Sequence, residues 1–466
     1  MPEIIKRNKA LAVNPLKTSA PTGAALAFLG VHRCMPMLHG ALGCTAFAKV
    51  YFVRHFREPI PLQTTAMDQA ATVLGADDNV IQGLATLCEK SRPDMIGLPT
   101  TGLSETQGTD IHGLVRRFRQ EYPQFAHVAV VAVNTPDYAG CMESGYADAV
   151  KAMIDALVAD DRSQAGKNPR QVNILAGSYL TPGDIEALRD MLAEFGLEAI
   201  ILPDIGDSLD GHLVEDDFNP LTIGGTRVED IARMGESAAT LTIGRSLWPA
   251  AELLERRTGV PDFRFDSLLG LEAVDAFVMA LAEISGQPVS PRLERQRAQL
   301  QDAMVDTHFM MGFARVGIAA DPDLLLSMSR LVRSMGGETV AAVAPARGAA
   351  LAQVAADKVH LGDLEDLENL CREHHAELLI GSSHAVQVAQ RLELPILRAG
   401  FPLYDQVGGF QRTWVGYRGT RQALFDLANL RLEHHAHHHE LTPYHSRFRQ
   451  ADTPGVATFA ASGTFH

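Results

Sequence analysis

Cys44 closes the stretch "HGALGC" (His39 to Cys44), directly after Gly43 and directly before "TAFAKVYFVRHF". That setting places its sulfur in the first turn of a helix, where the helix dipole and free backbone N–H groups lower a thiol's pKa. A thiolate there binds metal or attacks a substrate. The plainer reading is a small buried residue at a tight turn, a common use of cysteine. No CxxC companion stands beside it, so either chemistry needs groups from elsewhere.

The other cysteines offer less. Cys88 takes an apolar helical position and Cys371 lies in "DLEDLENLCREHH", so both read as packing residues; Cys34 precedes "MPML", and Cys141 sits in the loop "NTPDYAGCMESGYAD". Five cysteines, scattered and odd in number, suit a reducing compartment and argue against a complete cluster or zinc site within this chain. "LPTTGLSETQGTD" (Leu98 to Asp110) reads as a strand-to-helix turn whose N–H groups could hold an anion, but it matches neither GxGxxG nor GxxxxGKS. "EHHAHHHE" (Glu433 to Glu440) would bind nickel or zinc in solution, yet without spaced ligands it reads as a solvated helix end.

Composition narrows the field. A formal net charge of -15 argues against nucleic-acid binding through a broad basic surface; only Lys6, Arg7 and Lys9 form a small basic patch. The opening residues lack an apolar signal-peptide core, and no run approaches the roughly 18 apolar residues of a membrane span. A cytoplasmic protein is expected.

The elements that must position these residues follow a βα rhythm. Helical spacing at Val80, Ile81, Leu84, Leu87 and Cys88 precedes the buried strand "MIGLP"; a second helix through Ile111, Leu114, Val115 and Phe118 precedes "HVAVVAV". Continuous apolar runs of this kind are strands covered on both faces, as in parallel sheets. The rhythm restarts at "QVNILAG", with Thr181 as N-cap and Pro182 at the first helical position, then "LEAIILPD" and "TLTIG". "DIGDSLDGHLVEDDFNP" between them reads as an exposed loop. Helices from about Leu268 to Met311, broken at "SGQPVSP", lead to the strands "FARVGIA", "TVAAVAP" and "ELLIGSS". With 466 residues and single cores rarely exceeding roughly 250 to 300 residues, the chain divides into three βα units: 1–168 with an N-terminal arm, 169–290, 291–433, and a tail over 434–466.

Taken in order, "NPLKTSAPTGAALAFLG", "HGALGC", "YFVRHFREPIPLQTTAMDQAATVLGADDNV", "PDMIGLPTTGLSETQGTDI" and "RAGFPLYDQ" resemble the nitrogenase component 1 superfamily over nearly the whole length. The resemblance implies an α/β fold of three Rossmann-like domains with parallel sheets flanked by helices. In the catalytic β-subunit of that family three cysteines serve the P-cluster; by motif, the first falls at Ser19, the third at Gly102, and only the middle one is kept, as Cys44. A full half-share of a P-cluster is therefore not expected.

One retained thiol instead fits the family's cofactor-assembly branch, where the resemblance implies Cys44 as one ligand of a smaller 4Fe-4S cluster shared with a NifE-type partner. It further implies an α2β2-type heterotetramer, docking of the nitrogenase iron protein, an iron-molybdenum cofactor precursor held mainly by the partner, and no independent catalytic activity. The aromatic helix after Cys44, with Phe47, Tyr51, Phe52 and Phe56, is expected either at the partner seam or inside the first domain. Alternatives of other classes are a catalytic redox subunit of the same superfamily, either the nitrogenase β-subunit or the B subunit of dark-operative protochlorophyllide reductase, and, apart from any resemblance, a metabolite enzyme with nucleophilic Cys44.

Overall fold

In the computed structural model, residues 1–7, 9–213 and 219–438 are described. Every strand pair in its three sheets is parallel. The first sheet runs in the order Gln63–Thr64, Cys34–Leu38, Met95–Pro99, Ala129–Val133. The second runs Glu198–Leu202, Asn168–Ala176, Ser237–Ile243, Asp262–Phe265. The third runs Glu3–Ile5, Lys358–Leu361, Glu338–Ala344, Arg315–Ala319, Leu378–Gly381, Ile396–Arg398. Helices connect consecutive strands, as parallel pairing requires, so the chain is an α/β protein of parallel sheets flanked by helices.

Most of the expected elements appear where apolar periodicity places them, including the helices Asp77–Lys90, Ile111–Glu121 and Pro182–Ala193, the last capped by the Thr181 hydroxyl. Two differ. Cys34–Leu38, where no element was expected, is a fully buried inner strand; its Pro36 is tolerated because it pairs with Gly97 on one side and the neighbour on the other side joins only at Met37 and Leu38. The segment from Asp204 is not simply an exposed loop. Ile205–Ser208 forms a helical turn whose Ile205 and Leu209, one turn apart, are buried; residues 214–218 lie outside the described residues.

The frame of the first region is a close helix pair. Helix Ala20–Leu29 is buried along its whole length, as its apolar composition demands, and it packs on helix Met142–Leu157. Glycine permits the approach: a Cβ on Gly23 would lie 1.8 Å from the Met142 carbonyl oxygen, and one on Gly145 would lie 2.0 Å from that of Ala20. Ser19, the N-cap of the first helix, is thereby held close to the start of the second.

The N-terminal arm belongs to the third sheet, where Glu3, Ile4 and Ile5 pair with Lys358, Val359 and His360. Lys9 then reaches Asp363 at 2.7 Å and Glu365 at 2.8 Å, so part of the supposed basic patch is spent inside the molecule. Among the described residues no helix is long and apolar enough to cross a membrane. The last helix, Gly416–His438, carries His434 against the Glu393 carbonyl at 2.7 Å; the rest of the His-rich stretch, beyond this backbone, and the tail from 439 lie outside the described residues.

Candidate functional site

Three neighbouring parallel strands end at one edge of the first sheet, and the turns leaving them carry the residues of interest. Cys34–Leu38 leads through His39 to helix Leu42–Phe56, Met95–Pro99 leads to helix Gly102–Gln107, and Ala129–Val133 leads through the 134–141 loop to helix Met142–Leu157. Crevices at the carboxyl ends of parallel strands are where such folds place ligands. Hydroxyls lash these turns together: Thr101 and Ser104 donate to the His39 carbonyl at 2.9 and 3.0 Å, and Thr135 donates to that of Thr100 at 2.7 Å. The "LPTTGLSE" turn is thus committed internally rather than left open for an anion. His39 is buried and neutral, its pKa pushed down to about 4 by burial, with Nδ1 on the Thr65 hydroxyl at 2.9 Å.

Beside this edge lies a hollow of about 350 Å3 lined by Ser19, Pro21, Thr22, Leu38, Gly43, Cys44, Phe47 and Asp137. Gly102 abuts it, since its N–H donates to Asp137 Oδ2 at 3.2 Å. Ser19, Cys44 and Gly102, far apart in sequence, are therefore brought to one place. Only one of the three carries a thiol. The Ser19 hydroxyl is shared with Thr22 at 2.9 Å.

The expectation that Cys44 is an activated thiolate does not hold. The residue is in the first helical turn as read, but burial and then the Asp137 carboxylate push its pKa up, outweighing the Ala41 and Cys44 N–H groups that pull it down. A nucleophile would need a base, and among the residues lining the hollow there is no histidine. Among the described residues no group of three or more His, Cys, Asp or Glu side chains could hold a metal ion. The hollow thus carries one thiol and, on Asp137, one carboxylate oxygen, Oδ1, that is buried without a hydrogen-bond partner.

The helix that carries Cys44 is apolar on two faces. Phe52 and Phe56 are buried with Phe401 and Phe410, so these two rings pack inside the subunit. Tyr51 is half-buried against His384. Phe47 is 64% exposed, and Leu42 (65%), Val50 (54%) and Val53 (40%) are exposed with it. An apolar strip of this kind on a folded chain marks an interaction surface.

Residues 19–432 match the family described as nitrogenase component 1 type oxidoreductase. The chain belongs to that family. A relative from Klebsiella pneumoniae, called nitrogenase iron-molybdenum cofactor biosynthesis protein NifN, is 46% identical over 99% of both chains. One of the same name from Bradyrhizobium diazoefficiens is 44% identical over 96% of this chain and 94% of its own length. Among solved structures, a chain of nitrogenase Cp1 at pH 6.5 superposes with a TM-score of 0.88 at 28% identity, covering 94% of this chain and 97% of that one. The three-sheet fold is thus the nitrogenase component 1 fold.

Two other clusters of polar groups lie elsewhere in this family member, the first with its carboxylates supplied by donors of the chain, the second leaving Arg412 Nε buried without a hydrogen-bond partner. At the meeting of the three sheets, Glu143 is 3% exposed and accepts the Asp323 N–H at 2.7 Å. Asp323 accepts the N–H groups of Arg245 and Ser246 at 3.0 and 3.1 Å and the Ser246 hydroxyl at 2.6 Å. Burial, then the Asp323 and Asp321 charges, push Glu143 well up; burial pushes Asp321 up to about 6. Cys141 is buried beside them with its thiol pushed up, and Cys34, Cys88 and Cys371 are buried too. A larger cavity of about 420 Å3 lies where helices Pro182–Ala193, Pro291–Met311 and Gly416–His438 meet. There Arg292 pairs with Glu194 at 2.8 Å and Arg412 with Asp426 at 2.6 Å.

Proposed function

We propose that this chain is a scaffold subunit for nitrogenase iron-molybdenum cofactor biosynthesis. It pairs with a NifE-type partner to hold and mature an iron-sulfur precursor, carried mainly by the partner, and shares with it an interfacial 4Fe-4S cluster to which Cys44 gives one ligand. One observation carries this reading: Ser19, Cys44 and Gly102 gather at a single hollow that retains a single thiol. Such a cluster usually takes four thiolates, and a subunit interface can divide them. The full-length likeness to relatives named NifN supports the same role.

A cluster held there supplies one-electron transfer. Cys44 gives up its proton on ligation, because the ligand is the thiolate; Pro21, Leu38 and Phe47 keep that side of the hollow apolar. The exposed strip of Leu42, Phe47, Val50 and Val53 provides the seam with the partner. A second apolar surface, Val305, Phe309 and Phe313, each more than half exposed, suits contact with a second copy in an α2β2-type heterotetramer. The nitrogenase iron protein docks on that assembly in the cytoplasm, where free cysteines persist. The chain's own units are bounded near residues 168, 290 and 433.

The test is to purify the complex with its partner and record EPR of the reduced protein with iron content. Cys44→Ala is expected to lose the 4Fe-4S signal and the corresponding iron; an unchanged signal at full iron content would overturn the assignment.

A further inference from the structure

Asp137 stands in the "NTPD" turn after strand Ala129–Val133, and four observations set it apart. It lines the hollow that Cys44 lines. Its Oδ2 is held by the Gly102 N–H at 3.2 Å, and its carbonyl oxygen by the Lys17 ammonium at 2.7 Å, so the residue is fixed from two sides. The lysine bonds the backbone oxygen and its charge acts on the carboxylate from there, but among the described residues no salt bridge reaches the carboxylate itself, and Oδ1 is buried with no hydrogen-bond donor. Leaving such an acceptor unmet destabilises the chain alone, and a subunit interface completed by another chain would relieve it. Finally, Gly102 and Asp137 are matched in space: a Cβ on Gly102 would come within 3.3 Å of the Asp137 Cβ and 3.6 Å of Oδ2. A side chain at position 102 would press on the Asp137 Cβ and come into ordinary contact with the carboxylate.

We propose that Asp137 is a positioning residue of the Cys44 site that sets the potential of the cluster there: a fixed negative charge on the wall of the hollow, anchored at Gly102. The proposal rests on the cluster role of Cys44. The potential of an iron-sulfur cluster follows net charge, hydrogen bonding and exposure at the site. Adding an electron increases the negative charge of the site, which a carboxylate without a salt-bridge partner opposes, so Asp137 holds the midpoint potential low. Gly102 keeps the carboxylate in place through its N–H and through its lack of a side chain.

The experiment is a redox titration, followed by EPR, of the purified complex carrying Asp137→Asn, which keeps shape and removes charge, with iron content measured in parallel. The expected result is full iron content with a midpoint shifted to more positive potential. Gly102→Ala, which presses on the Asp137 Cβ and shifts the carboxylate from its seat, is expected to move it in the same direction, and carries the test if the Asn variant does not assemble. An unshifted midpoint at full iron content would overturn the proposal while leaving the Cys44 assignment intact. Loss of iron from an assembled Asp137→Asn complex would also overturn it, in favour of a ligand or structural role. Retention of the cluster in Cys44→Ala would remove the reading on which it rests.

Discussion

The Cys44 hollow and the Glu143 junction are built from the same materials, a cysteine and carboxylates near helix N-termini, and they come to opposite ends. At the junction the carboxylates find donors within the chain, on Asp323, Arg245 and Ser246. At the hollow one carboxylate oxygen has no donor, the thiol has no companion, and the neighbouring helix shows an apolar strip to the outside. Buried titratable groups do not by themselves mark a functional site. The informative property is incompleteness: the junction carboxylates are met within the subunit, whereas the hollow leaves a thiol and a carboxylate oxygen unmet, as the proposed partner site requires.

The strongest way to break the comparison is to remove the frame that both regions share. Gly145→Val would drive a side chain into the Ala20 backbone, at a cost of about 3 kcal/mol or more; thermal unfolding should show a large fall in midpoint, with hollow and junction lost together. Next in size, Val50→Glu places a charge in the exposed strip. Affinity for the partner subunit, followed by calorimetry or gel filtration, should fall about tenfold or more, while the melting temperature of the chain alone stays the same. A weakened chain with intact pairing would mean that the strip belongs to the interior.

A smaller effect separates the two clusters by pH. Glu143 and Asp321 are held above the values they have in an unfolded chain, so the folded state binds more protons, and stability falls as pH rises from about 4 through about 6 and, for Glu143, beyond. Glu143→Gln keeps an acceptor for the Asp323 N–H and removes one charge. It should raise the melting temperature by a few degrees at pH 7.5, a gain that shrinks as pH is lowered to about 4.5; a pH-independent gain would locate its cause elsewhere. Smallest is the reactivity of Cys44 in the chain alone. Burial and Asp137 hold the thiol up, so alkylation at pH 8 should be several-fold slower than for free cysteine, and Asp137→Asn should speed it about twofold.

The two regions also differ in how far they could be read from sequence. The βα rhythm was legible because strands buried on both faces are apolar throughout, and Ser19 and Gly102 were set beside Cys44 by resemblance alone before the fold brought the three to one hollow. Asp137 was not: an aspartate after proline in a loop has the composition of an ordinary turn. The Cys44 pKa was misjudged for a related reason. A helix dipole can be read locally, whereas burial and a carboxylate brought in by another strand cannot. The inner strand Cys34–Leu38 was not read at all, and the partners of Glu3–Ile5 lie too far along the chain for any local pattern.

That N-terminal strand has a consequence for handling the protein. Because Glu3–Ile5 covers the edge at Lys358–Leu361, and Lys9 is clasped by a carboxylate 354 positions away, the chain is buckled like a belt, its earliest residues fastened to its last sheet. A tag or deletion at the start would be felt there, by baring a strand edge open to adventitious pairing, and a variant trimmed at the front would tend to aggregate while its Cys44 hollow remained intact.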